Sequence, residues 1–136
     1  MIAPEKIQIQ AINHLGLIAG IIDDIGIEKI INEVVGSDDR EIVTSGQIVK
    51  AIILNGLGFV SQPLYLFPQF FADKATEHLL GKGLEPKHLN DDKIGRVMDK
   101  LYEKDLSLIF LKIALVIVNK YQILTKFSNF NQVFSS

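Results

Sequence analysis

The chain has 136 residues, 48% hydrophobic and 22% charged, enough for one globular domain with its own core and too few for two. It contains no cysteine, which excludes disulfides, thiolate metal sites and cysteine nucleophiles at once. Fourteen basic against sixteen acidic residues leave a net charge of −2, so no global positive field draws a polyanion.

The first residues lack a basic stretch followed by an apolar run and a small-residue cleavage site, and a cytoplasmic location is expected. The longest apolar run, 106–118, is interrupted by Ser107 and Lys112. It falls short of the roughly 20 residues a membrane span needs, so it reads as a buried helix and no membrane partner is expected. Charge is uneven: residues 1–68 sum to −4 and residues 69–136 to +2, which places any nucleic-acid surface in the second half.

Along the chain, Ile7, Ile9 and Ala11 alternate with Gln8 and Gln10, the period of a short strand, so residues 1–12 are expected to form an extended arm. From Leu15 the interval becomes helical through Ile18, Ala19, Ile22 and Ile25, and Gly26 ends the run. A second helix carries Ile27, Ile30, Ile31, Val34 and Val35, followed by a polar loop at 36–40. Thr44 or Ser45 caps a third, with Ile48, Ala51, Ile52 and Leu54 facing inward and Asn55-Gly56 closing it. Residues 58–73 hold five of the eleven aromatics, Phe59, Tyr65, Phe67, Phe70 and Phe71. They are expected in the core, with a partner surface as the alternative; Pro68 forces a kink or restart.

Asp73 is expected to cap a short helix ending at Gly81. After a loop containing Pro86, Asn90 caps a longer helix in which Asp91 and Asp92 face the positive end of the dipole and Ile94, Val97, Met98 and Leu101 form the buried stripe. Asp105 caps the last helix, apolar nearly all round and therefore expected at the centre of the bundle. Residues 13–122 thus form the helical domain. Residues 123–136, rich in Asn, Ser and Phe, are expected to be a poorly ordered tail. The fold class is all-α: a compact multi-helix bundle with a short N-terminal extended segment.

Little points to chemistry. The pairs Asp23-Asp24, Asp38-Asp39 and Asp91-Asp92 fall at a helix end, in a loop and in a first helical turn, where solvation or capping accounts for them. His14, His78 and His88 have no ligand spacing, and neither a nucleophile elbow nor a phosphate-cradling glycine motif occurs. No catalytic residue, metal site or cofactor is expected. One constellation remains: Lys93, Arg96, Lys100 and Lys104, spaced 3, 4 and 4, project along one edge of the Asn90-capped helix and could track a phosphate backbone. Asp92, Asp99 and Glu103 on the adjacent strip could equally pair with them. The preceding helix is too distant in sequence for a standard helix-turn-helix.

Three stretches, VTSGQIVKAIILNGLGFVSQPLYL (43–66), FFADK (70–74) and LNDDKIGR (89–96), resemble in content and order the amino-terminal domain of a family of bacterial insertion-sequence transposases, from about Ile12 to about Tyr121. In that family the region, often catalogued as a domain of unknown function, precedes a ribonuclease-H-like domain whose Asp, Asp and Glu bind two metals for DNA strand transfer. The resemblance implies a fragment truncated before its catalytic part, since residues 127–134 contain no acid where the first catalytic Asp is due. It also implies a non-catalytic role: contact with double-stranded DNA at the transposon ends through Lys93, Arg96, Lys100 and Lys104. The alternative is a protein interaction module for self-association or docking on the catalytic domain.

Overall fold

The computed structural model describes residues 4–57, 66–72 and 74–121, with 4–13 described by their backbone alone. Among these are seven α-helices, a 3₁₀ turn at Pro86–His88 and no strand: α1 Pro4–Ile25, α2 Ile27–Val35, α3 Ser45–Leu57, α4 Phe67–Ala72, α5 Thr76–Leu80, α6 Asp91–Glu103 and α7 Leu106–Tyr121. The all-α bundle is therefore what forms. The expected extended arm at 1–12 is helix where it is described: residues 4–12 belong to α1, and residues 1–3 lie outside the described residues. Ile7, Ala11, Leu15 and Ala19 recur every four residues, so the stretch that alternates also continues the helical stripe that follows it. Pro4 stands in the first turn, where its missing N–H costs nothing.

Gly26, at φ +81°, terminates α1 and opens α2 in one residue. Its N–H donates to the carbonyls of Ile22 and Asp23, and its left-handed backbone lets the chain turn without a linker. Helix α2 then lies against α3. The approach is close enough that a Cβ on Gly46 would collide with the backbone carbonyl of Glu28.

The start of α3 is held from two directions. Thr44 and Gln47 form a reciprocal cap: Gln47 N–H donates to Thr44 Oγ1 at 3.2 Å and Thr44 N–H to Gln47 Oε1 at 2.9 Å. Asn32, inside α2, accepts from Gly46 N–H at 2.7 Å and donates to Thr44 Oγ1 at 3.3 Å. Gln47 also donates to the Leu80 carbonyl at the end of α5. The first turn of α3 thus fixes α2 and α5 around it.

Helix α3 is the central element, touching α1, α2, α5 and α6, with Ile48, Ala51 and Leu54 fully buried. Each buried Leu or Ile contributes about 1.5–3 kcal/mol of burial. The helix runs one residue beyond Gly56 and buries Asn55, so Asn55-Gly56 does not close it. His14 of α1 meets the carbonyl of its last residue, Leu57, at 2.8 Å.

Phe67, Phe70 and Phe71 are core, as expected from their clustering. Phe70 and Phe71 pack edge to face with centroids 4.9 Å apart. Phe59 and Tyr65 lie outside the described residues. Pro68 sits in the first turn of α4, the restart its ring demands. Helix α5 begins only at Thr76, with Ala75 at the cap position and no side-chain cap. Instead the Thr76 hydroxyl donates to the Phe71 carbonyl, tying α5 back to α4. Asp73 itself lies outside the described residues.

Asn90 caps α6, accepting from Lys93 N–H at 2.9 Å, and Asp105 caps α7, accepting from Ser107 and Leu108 N–H. In α6, Ile94 and Val97 are buried and Leu101 partly so, whereas Met98 is 45% exposed and drops out of the inner stripe.

The larger correction concerns α7, which is peripheral. Ile109 alone of its residues is buried; α7 rests on α1 and α2 and leaves about half of its apolar side chains exposed. All-round apolarity was expected to mark the centre of the bundle, and it fails because one face is used here and the opposite face is left uncovered.

Candidate functional site: a split basic edge and an uncovered apolar face

Helical spacing does place Lys93, Arg96, Lys100 and Lys104 on one edge of α6, but the edge is not uniformly free. Glu41, in the loop before α3, reaches across with Oε1 3.3 Å from Lys93 Nζ and 3.8 Å from Lys100 Nζ. Its Oε2 is buried without a hydrogen-bond partner. Arg96 pairs with Asp92 one turn earlier at 2.7 Å, both side chains well exposed, a contact worth only a few tenths of a kcal/mol, about 0.3–0.5. Lys104 is the exposed C-cap of α6. The edge therefore divides into two lysines held by a partly buried carboxylate and two cations that face solvent. Sequence spacing foresaw Asp92 as a partner. Glu41 could not be foreseen, because it lies more than fifty residues away and arrives only through the fold.

The histidines do not converge. His14 meets α3, His88 Nδ1 accepts from Glu85 N–H at 3.0 Å inside the 3₁₀ turn, and His78 is exposed on α5. Among the described residues no group of three or more His, Cys, Asp or Glu is placed to hold a metal ion. An open groove of about 580 Å³ lies at the α1–α2 junction, bordered by Asp23, Glu28, Lys29 and Glu33. Beneath it Lys50 of α3 is buried, with Nζ 2.5 Å from Asp23 Oδ1 and 3.4 Å from Glu28 Oε1.

The most distinctive surface is the outer face of α7. Leu108, Leu111 and Leu115 are each about half exposed, Leu106 likewise, and Phe110 is 73% exposed. At 100° per residue Leu108, Phe110 and Leu115 fan around Leu111, opposite the inward Ile109 and Ile113, whereas Leu106 lies on the Ile113 side at the start of the helix. The charges on α7 are Lys112, at the rim of this face, and Lys120 near the helix end.

Lys120 and Tyr121 anchor that end to α1. The Tyr121 hydroxyl donates to Asp24 Oδ2 at 2.6 Å, and Lys120 Nζ reaches both the carbonyl and the carboxylate of Asp24. The Tyr121 hydrogen bond, with Lys120 beside it, holds the Asp24 carboxyl below its ordinary value, and the same hydrogen bond raises the Tyr121 phenol. Asp24 shares a face of α1 with Ile21 and Leu17, both exposed.

Fold and surface together define a helical domain whose distinguishing feature is an exposed apolar face rather than a cleft with converging polar groups. Over residues 7–115 the chain matches the model of a family described as domain of unknown function DUF4277, and it belongs to that family. Neither a curated protein nor a solved structure matches it. Among the described residues no helix is long and apolar enough to cross a membrane.

Proposed function

We propose that the chain is a non-catalytic helical module of the insertion-sequence transposase type, acting in the cytoplasm by docking against another polypeptide surface. The transposase assignment rests on the stretches at 43–66, 70–74 and 89–96. The docking role rests on one observation: the outer face of α7 exposes four large apolar side chains, Leu108, Phe110, Leu111 and Leu115, along a single helix. Monomeric soluble proteins rarely leave contiguous apolar patches beyond a few hundred Å² uncovered.

Contact with double-stranded DNA at transposon ends is the second reading, favoured by the solvent-facing Arg96 and Lys104. It ranks behind docking because the single carboxylate of Glu41 already engages Lys93 and Lys100 and Asp92 already pairs with Arg96, so the edge offers less net positive charge than the sequence suggested.

One pair of titrations separates the readings. The purified chain should bind an environment-sensitive apolar dye at neutral pH, and Leu111→Asp should remove most of that signal. A fluorescent duplex should bind no more tightly than the roughly 10⁻⁴–10⁻⁶ M of non-specific association. Tighter duplex binding whose salt slope falls by roughly 0.9 for each of Arg96→Ala and Lys104→Ala would reverse the order.

A further inference from the structure

We propose that residues 122–136 of this chain fold back over the outer face of α7 and close it when no partner holds it; the proposal rests on the docking reading above and names what competes for that face. Residues 122–136 lie outside the described residues. The first support is size. With roughly 200 Å² for a whole large side chain, Leu108, Phe110, Leu111 and Leu115 together expose on the order of 400 Å². A free partner contributes about 800 Å² to a standard interface and must offset the loss of its translational and rotational freedom, so it has to bring contacts beyond this face. A tethered segment meets the face at about millimolar effective concentration, and the smaller area suffices.

The second support is reach. Lys120 and Tyr121 are held by Asp24, so the chain leaves α7 from a fixed point. From there Leu111 lies back along the helix by about 15 Å, and the residues that follow can span up to about 50 Å when extended. The third is chemistry. Ile123, Phe127, Phe130 and Phe134 recur at intervals of four, three and four, an apolar stripe at helical spacing. So short a stripe has no stable fold of its own until it finds apolar surface to cover. The one charged side chain of the segment, Lys126, falls ahead of Phe127, and the centre of the α7 face is uncharged, with Lys112 at its rim. Phe127 and the residues after it therefore meet the face without desolvating a charged side chain of their own.

The test uses the full chain. It contains no tryptophan, so Phe130→Trp places a single indole in the segment. Its emission should be blue-shifted from that of an indole in water, equally so from nanomolar to high micromolar concentration. Leu111→Asp in the same chain should return the emission to the solvent value while keeping the far-ultraviolet helical signal. Removing the cover should also open the face: Phe127→Ser with Phe130→Ser should raise apolar-dye binding at least twofold. Solvent-like emission from Phe130→Trp, a blue shift that survives Leu111→Asp, or dye binding unchanged by the double serine replacement overturns the proposal. So does a blue shift that grows with concentration, which assigns the cover to a second copy. If the indole is solvent-like and the dye still binds through Leu111, the docking reading stands and only its cover is wrong. If no dye binds through Leu111 in the wild type or the double serine variant, the docking reading falls as well.

Discussion

The ammonium of Lys50 lies 2.5 Å from Asp23 Oδ1 although only 3% of the lysine side chain is exposed, while Asp23 remains 59% exposed. One charge is buried and its partners, Asp23 and the intermediate Glu28, reach it from α1 and α2 across the Gly26 junction. Helix α3 is thereby bound to both preceding helices at the same point.

This asymmetry fixes the order of two mutational effects. Replacing both acids, Asp23→Asn with Glu28→Gln, strands a buried cation and is expected to cost about 3–5 kcal/mol, whereas Lys50→Met leaves its more exposed partner solvated and is expected to cost under about 2 kcal/mol. Urea denaturation of the two variants checks the ranking, and a lysine replacement more damaging than the double acid replacement would refute it.

Gly46 and Gly26 are needed for different reasons. A methyl group at Gly46 meets the Glu28 backbone, which cannot swing aside, so Gly46→Ala should push α2 from α3 and destabilise by about 2–3 kcal/mol, in the range of overpacked cores. At Gly26 there is open space, and the penalty is only the left-handed backbone, about 1–2 kcal/mol. Thermal melts of the two alanine variants should show the larger loss at Gly46.

Two of the caps can be ranked in the same way. Asn90→Ala removes one bond from an exposed helix start and should cost about 1 kcal/mol. Asn32→Ala removes two hydrogen bonds that join α2 to α3, and exceeds the Asn90 effect by about 1 kcal/mol. Comparison of denaturation midpoints decides the order.

The anchor of α7 is pH-dependent at both extremes. Asp24 titrates below its ordinary value in the folded chain, so its contribution is present above that value and is lost as pH falls through the depressed one. Tyr121 titrates above its ordinary value, so its contribution is present below that value and is lost as pH rises through the elevated one. Hydrogen exchange in the last turn of α7 should therefore be slowest, relative to the intrinsic rate, between about pH 4 and 10, and should speed up outside it. Asp24→Asn should remove the acid limb, and an acid limb unchanged by it would exclude the anchor as the cause.

Local signals carried much of the architecture. Gly26 through its backbone, and the polar loop at 36–40, Asn90 and Asp105 through side chains, mark boundaries by acting within a few residues, and such boundaries are readable from one sequence. What depended on distant partners was not readable. Asn32 capping another helix and Glu41 occupying Lys93 and Lys100 both require the tertiary arrangement first. The alternation at 6–12 misled because seven residues fit two periods. The apolar girth of α7 misled in a more useful way, since it recorded surface to be covered without saying that the cover comes from this domain.

The central place of α3 has a consequence during synthesis. Emerging from the ribosome, α1, α2 and α3 can join at once around Gly26 and Gly46, but the flank of α3 turned toward α5 and α6 stays wet until Ile94 and Val97 appear, some forty residues later. The nascent domain therefore passes through an interval as a sticky half-bundle, and that interval, rather than the finished fold, is where a chaperone would find it.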